Sequence, residues 1–306
     1  MRTLVISNPR ATATSPRAYD VLMHALASET DLEIAETANR GHAAALACRA
    51  MRGGIDVVVG VGGDGTLNEI VNGLLTDGVH DEVPKLGIIP TGSTNVFARA
   101  LGLPNDPIEA TGVLLEALRT GSTRAVSLGR ADDRYFLFAA GHGFDAGVVG
   151  RVERHRRRGQ RNTDSLYARL GLKEWLAYDR RSPKLHVEFG DGVTLDGVFF
   201  AIVTNSDPWT FALNRPMRPT PEVNFDNGLG LYARRRMSAP GILFSAARMA
   251  GRRPRVGRRG AYVVQDVETM VIWSDEPMAL QVDGDFLGES GKVVFTSVPK
   301  AVQVVM

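Results

Sequence analysis

Residues 60–69 read Gly-Val-Gly-Gly-Asp-Gly-Thr-Leu-Asn-Glu and follow the apolar run Val57-Val58-Val59. A short β-branched run that empties into glycines, an acid and a threonine, then turns apolar-periodic, predicts strand, tight loop and helix. Glycines let a backbone approach a ligand closely and take positive φ. The free N–H groups at the start of the next helix attract anions, above all phosphates. An aspartate inside such a loop implies a cation or a polar group beside it. The chemistry expected is therefore the holding of nucleotide phosphates.

Gly60, Gly62 and Gly65 formally fit the GxGxxG dinucleotide pattern. That pattern belongs after the first strand of its domain, with an acid about 20 residues on at the end of the next strand. Here the loop follows the third predicted strand, and Asp81 and Glu82 precede the next one. A GxxxxGK[ST] phosphate loop does not occur. A plain glycine-rich turn remains the bland alternative.

Further motifs surround the loop. Asn8-Pro9 follows the first predicted strand, and Thr37 and Gly41-His42-Ala43 precede the helix leading to Val57. Asn68-Glu69 and Asn72-Gly73-Leu74 follow the loop. Then come Pro90-Thr91-Gly92-Ser93-Thr94-Asn95, Phe97-Ala98-Arg99, Gly143-Phe144-Asp145-Ala146 and Val282-Asp283-Gly284-Asp285. This order resembles the diacylglycerol-kinase-type bacterial lipid kinases, a family related to the sphingosine kinases. NAD kinases and phosphofructokinases share its GGDGT loop in part. The resemblance runs over nearly the whole chain.

It implies an ATP-dependent lipid kinase that uses Mg²⁺ and acts most naturally on diacylglycerol, giving phosphatidic acid. Asn8, Thr37, Gly62, Gly63, Asp64, Gly65, Thr66, Glu69, Gly92, Thr94, Asn95 and Asp285 are then the candidate nucleotide-binding residues. Asp64 and Asp285 are the candidate metal ligands, with Asp283 and Glu289 as further acids. Asp283 is the candidate base at the lipid hydroxyl, with Asp64 the second catalytic candidate. The residues alone leave Asp283 open to another role, because Asp-Gly is a strong hairpin turn. His42 also lies beside motif residues. The family carries glutamate where Asp285 stands, aspartate where Val96 stands and an acid where Ser127 stands. In relatives those last two join the counterpart of Arg99 in a network around a structural metal, which this chain lacks the acids to build. Other readings are a kinase for another lipid alcohol (a sphingoid base, a ceramide or a phosphatidylinositol-type lipid), a soluble NAD-kinase-like enzyme, and a silent nucleotide-binding regulator at membranes.

Bulk properties fit that picture. The 306 residues suffice for two cores, and the formal net charge is +2. The single Cys48 forms no internal disulfide and is expected to be a small core residue in a reducing compartment. No apolar run reaches the ~20 residues of a membrane span, and no signal peptide opens the chain. We expect a cytoplasmic protein, peripheral to the inner face of the membrane. Arginines crowd residues 151–161, 234–236 and 252–259. They point to anionic phospholipid and a lipid substrate at the membrane surface, and away from nucleic acid, for which no motif exists. A homodimer is left open.

The element pattern predicts an α/β domain over residues 1–125 with a phosphofructokinase/NAD-kinase-like parallel sheet. Its strands are expected at 3–6, 32–35, 57–59 and 86–89. Ser15-Pro16 and Asp106-Pro107 predict helix starts, and Gly121 a helix end. Residues 126–306 predict a β-rich sandwich for the lipid, with a return of the last residues to the first domain left open. Its strands are expected at 135–140, 184–189, 198–204, 228–233, 261–267, 269–274, 278–282 and 292–296, with one helix over 163–178. Phe136, Phe138, Phe199, Phe200, Trp209 and Phe211 are expected to be core, with an acyl-chain pocket as the alternative. The active site is expected between the domains.

Overall fold

The computed structural model describes residues 1–9, 15–156, 164–251, 254, 256, 257 and 260–306. These divide into two compact units, Met1–Ser127 with Pro299–Met306, and Leu128–Val298.

Unit 1 alternates strand and helix: β1 (Arg2–Ser7), α1 (Pro16–Ala27), β2 (Asp31–Glu36), α2 (His42–Arg52), β3 (Val57–Gly62), α3 (Asp64–Leu74), β4 (Lys85–Pro90), α4 (Val96–Ala100), α5 (Pro107–Thr120) and the start of β5 (Thr123–Ala131). The strands pair in parallel in the order β4-β3-β1-β2. All six residues of β3 are buried, as a parallel strand covered on both faces requires. On one face Val5, Val57, Val59 and Val61 pack with Leu22 and Leu26 of α1 and Leu114 of α5. On the other, α3 lies so close to α2 that a Cβ on Gly73 would meet the Ala44 carbonyl oxygen at 2.2 Å. The helix signals act as read. Ser15 Oγ accepts from the Ala18 amide, Asp106 Oδ1 accepts from Ile108 and Glu109, and Gly121 closes α5 at φ 73°.

Unit 2 continues with β6 (Arg134–Phe136), β7 (Ala139–Gly143), α6 (Phe144–Arg156), α7 (Asp164–Ala177), β8 (Leu185–Phe189), β9 (Thr194–Val198), β10 (Phe200–Thr204), β11 (Thr210–Ala212), β12 (Arg215–Met217), β13 (Leu229–Arg234), α8 (Ala239–Met249), β14 (Ala261–Val267), β15 (Thr269–Val282) and β16 (Asp285–Val305). The two layers expected of a sandwich are parts of one hydrogen-bonded sheet. The first half of β15 pairs with β8 and the second half with β7, with a bulge between Trp273 and Met278. The sheet curls so far that Phe189 of β8 meets Tyr262 of β14 at a centroid distance of 6.4 Å. Phe136, Val187, Ala201, Leu231, Ile272 and Phe295 share the core inside that curl. The expected strand over 135–140 is two strands, β6 and β7. The helices α6 and α8, the strands β5 and β9 and the hairpin β11–β12 were not expected.

Phe199 and Phe200 belong to a second apolar cluster, with Tyr232 and Met249, on which Trp175, Trp209 and Ile242 pack. They are core residues, as expected. Cys48 is half-buried. No helix among the described residues is long and apolar enough to cross a membrane. Arg157, Arg158, Arg161, Arg252, Arg253, Arg255, Arg258 and Arg259 lie outside the described residues, as does the side chain of Arg156.

Candidate active site

In unit 1 the candidate residues follow the carboxyl ends of neighbouring parallel strands, where ligands of such sheets bind. Asn8 follows β1, Thr37 follows β2, residues 63–66 follow β3 and residues 91–95 follow β4. Backbone bonds tie these ends together: Asn8 N to Val61 O, Thr37 N to Ser7 O and Thr91 N to Gly62 O. Asn8 Nδ2 also donates to Thr66 Oγ1 at 3.4 Å.

The glycines of the loop act by size. None of Gly60, Gly62, Gly63 and Gly65 has positive φ, which corrects the expectation from sequence. A Cβ on Gly62 would sit 2.7 Å from the Thr66 side chain. A Cβ on Gly63 would sit 3.2 Å from Gly92 Cα, and one on Gly92 only 2.6 Å from Gly63 Cα. Gly63 and Gly92 therefore let two loops touch. Gly65 differs, because nothing lies within 4 Å of its Cβ position. It opens the first turn of α3, where amides lack partners inside the helix. That is space and donor chemistry for a phosphate.

The polar partners expected beside Asp64 are backbone amides. Its Oδ2 accepts from Val96 N at 2.9 Å and its Oδ1 from Phe97 N at 3.0 Å. It thus caps α4 from the first turn of α3. Burial pushes its carboxyl up, against the pull of those two bonds and the Arg99 charge. Asn95 shapes the same turn. It sits at φ 49°, a conformation asparagine tolerates, and exchanges two bonds with the Gly92 backbone. Its Nδ2 also reaches Asn105 Oδ1 at 2.9 Å. Thr94 is half-buried in this loop.

Glu69 does comparable work on the other side of α3. Its two oxygens accept from Gly41 N at 2.8 Å and Ala43 N at 3.2 Å, capping α2. His42 Nδ1 pairs with the Ala38 amide at 3.0 Å. Val96 is buried in the core, and Ser127 Oγ accepts from Lys300 N at 3.2 Å.

In unit 2, Asp283 and Gly284 form the two-residue turn between the paired Val282 and Asp285. Their φ values of 47° and 79° are those of a type I′ hairpin. The turn reading of Asp283 is thus correct, and its carboxylate has a further task. Oδ2 accepts from Leu137 N at 2.7 Å, and Oδ1 from Phe138 N and Ala139 N at 3.1 Å. A carboxylate has about four acceptor positions, so backbone amides take most of them. Asp285 Oδ2 lies 3.7 Å from the Arg134 guanidinium.

One residue beside this turn was quoted in a motif but given no role. Asp145 Oδ2 accepts from Gln281 Nε2 at 3.1 Å, and Gln281 Oε1 accepts from Gly284 N at 2.9 Å. A Cβ on Gly141 would sit 2.2 Å from Asp145 Oδ2. Burial pushes the Asp145 carboxyl up to about 6, with the Gln281 bond opposing. His142, also buried, is pushed down and bonds the Ser290 carbonyl. Among the described residues no three His, Cys, Asp or Glu side chains gather as a metal cage.

Residues 2–131 match the model of the diacylglycerol kinase catalytic domain. The chain is 44% identical over 103 residues to diacylglycerol kinase of Staphylococcus aureus, in strains JH9 and Newman alike. That match covers 34% of this chain and 30% of the relative, so it spans under a third of the relative's length. The fold is shared almost end to end with a diacylglycerol kinase structure from Bacillus anthracis: TM-score 0.74, 19% identity, 99% of this chain and 96% of that one. An NAD kinase from Archaeoglobus fulgidus in complex with ATP has a TM-score of 0.52 at 14% identity, covering 100% of this chain and 94% of that one. The α/β fold of unit 1 and the β-rich unit 2 are thus those expected from the sequence.

Proposed function

We propose that the protein is an ATP-dependent lipid kinase that transfers the γ-phosphoryl group to a lipid hydroxyl, with diacylglycerol as acceptor and phosphatidic acid as product. The observation that carries this reading is the open first turn of α3 at Gly65, held against the Gly92 loop, within the segment that matches the diacylglycerol kinase catalytic domain. The donor set fits phosphate: helix-terminal amides, with Thr66 and Thr94 in the two loops. The ATP in the NAD kinase of similar fold supports ATP as the ligand.

In this reading Asp64, Glu69 and Asn95 shape the phosphate site by capping and turn formation. Magnesium, which takes one or two carboxylates plus substrate phosphates, would arrive with the nucleotide and neutralise its charge. Asp64 and Asp285 are the carboxylates proposed to meet it. Asp283 takes the proton of the acceptor hydroxyl as that oxygen bonds to the γ-phosphorus and ADP leaves. Asp145 and Gln281 hold the turn that carries Asp283.

A second reading, a nucleotide-binding regulator without turnover, draws on the three amides that already engage Asp283. The test is transfer of label from γ-labelled ATP to extracted lipids, resolved by chromatography. Label in phosphatidic acid is expected. Label in another phospholipid would change the acceptor, and label in NADP when NAD is supplied would favour the soluble-kinase class. ATP binding with no transfer to any acceptor would favour the regulator.

A further inference from the structure

Charge along the chain is far from even. Between Asp226 and Asp266 there is no acidic residue, and nine arginines lie in that stretch. In its middle stands α8. The inner side of α8 is conventional: Gly241, Ser245 and Met249 are buried. Its outer side is apolar where a surface helix should be polar. Leu243 is 71% exposed, and the helix carries no carboxylate. Arg235 and Arg236 are exposed just before it.

A second observation lies on the neighbouring hairpin β11–β12. Its base bonds to the end of α8 through Arg218 N to Met249 O, at 3.1 Å. Its tip is Leu213-Asn214, with both residues at positive φ, 49° and 61°. Asparagine tolerates that conformation, but leucine is strained in it. Leu213 is also 76% exposed, so packing does not explain the strain. A strained apolar residue held out into solvent is a reason to look for function. Trp209 and Met217 of the hairpin and Ile242 of α8 pack on one apolar cluster. The hairpin and α8 therefore adjoin one another on unit 2.

We propose that this part of unit 2, with Leu213 and Leu243 as insertion points and Arg235 and Arg236 beside them, docks the protein on an anionic phospholipid bilayer. The proposal builds on the lipid-kinase reading and gives its substrate a route. Apolar tips that enter the headgroup boundary, with arginines meeting lipid phosphates, are the chemistry of interfacial attachment. The absence of acids across residues 227–265 fits a surface that must approach negative charge.

The experiment is sedimentation of the full chain with phosphatidylcholine vesicles, with and without phosphatidylglycerol, in the absence of nucleotide. The parent should bind the anionic vesicles and release them at high salt. Leu213→Asn suits the turn better and should keep or raise the melting temperature, yet weaken vesicle binding by about threefold or more. Leu243→Ser should do the same without unfolding an exposed site, and the pair should lose about tenfold or more. Arg235→Gln with Arg236→Gln should weaken binding and flatten its salt dependence. Parent-like sedimentation of the double leucine variant would overturn the proposal. So would a parent that ignores anionic vesicles, or one that prefers homopolymeric RNA with no effect of the leucine changes. Label transfer to detergent-dispersed diacylglycerol is measured separately. If the parent docks through these leucines and transfers no label, the docking face stands and the kinase reading falls.

Discussion

The Asp64 carboxylate caps a helix to which it does not belong, accepting from the Phe97 amide at 3.0 Å. The bond joins the loop after β3 to the turn after β4, so the two loops are one unit. Asp64→Ala should therefore do more than remove a charge. It strips α4 of two charge-assisted bonds and should destabilise the fold by about 2–4 kcal/mol, as well as abolish ATP binding. Thermal unfolding beside ATP calorimetry checks this. Loss of ATP binding with an unchanged melting temperature would contradict the capping role.

Gly65 and Gly92 should respond in opposite ways to alanine. Gly92→Ala forces a Cβ to 2.6 Å from Gly63 Cα and should destabilise by about 1–3 kcal/mol. Gly65→Ala adds a methyl in open space within a helix, so stability should hold or rise by up to about 1 kcal/mol. ATP affinity should still fall in that variant, because the methyl stands where a phosphate would sit. Unchanged affinity would move the nucleotide away from this turn.

Asp283→Asn tests the base. The side-chain NH₂ would replace one oxygen that accepts from an amide, setting donor against donor. A stability loss of about 1–3 kcal/mol is expected, so assays belong well below the melting temperature. There kcat should fall by about 10²-fold or more while ATP affinity holds. Parent-like turnover would leave Asp283 a turn residue only.

Asp145 should make stability depend on pH. Its folded value of about 6 stands above the ordinary 3.8, so the native state holds the proton more tightly than the unfolded chain. The group's contribution is full below about pH 4 and is lost as pH rises through about 6. Asp145→Asn should raise the unfolding free energy at about pH 8 by roughly 1–3 kcal/mol, seen as a higher urea midpoint, and change little near pH 4. A variant curve parallel to the parent's would show that the carboxyl is not shifted by burial.

The parts legible in the sequence were those fixed by local chemistry. Ser15, Asp106 and Gly121 mark helix ends because capping involves only neighbours a few residues away. The run from Val57 to Thr66 announces strand, loop and helix for the same reason. Side-chain duties were not legible, because they depend on partners far along the chain. Asp64 reaches Val96, Glu69 reaches Gly41, and Asp283 reaches Leu137. The helix α6 contains Gly147, Gly150 and two adjacent valines, all poor helix formers, so its packing on α7 and β15 is what reveals it. The strands expected at 269–274 and 278–282 are one strand, β15, with Pro277 in its bulge.

The last eight residues have a consequence for biosynthesis. Pro299–Met306 belong to unit 1, where Val304 pairs with Leu86 and Ser122 Oγ bonds the Met306 carbonyl. On the ribosome, β4 is made early and waits for its neighbour until about 210 further residues have emerged. At common elongation rates that is roughly 10–40 s. During that time the edge of β4 at Leu86 stands open to pairing with another nascent chain. Crowded polysomes and loss of Pro299–Met306 should therefore favour aggregation through unit 1, although those residues lie far from β4 in the sequence.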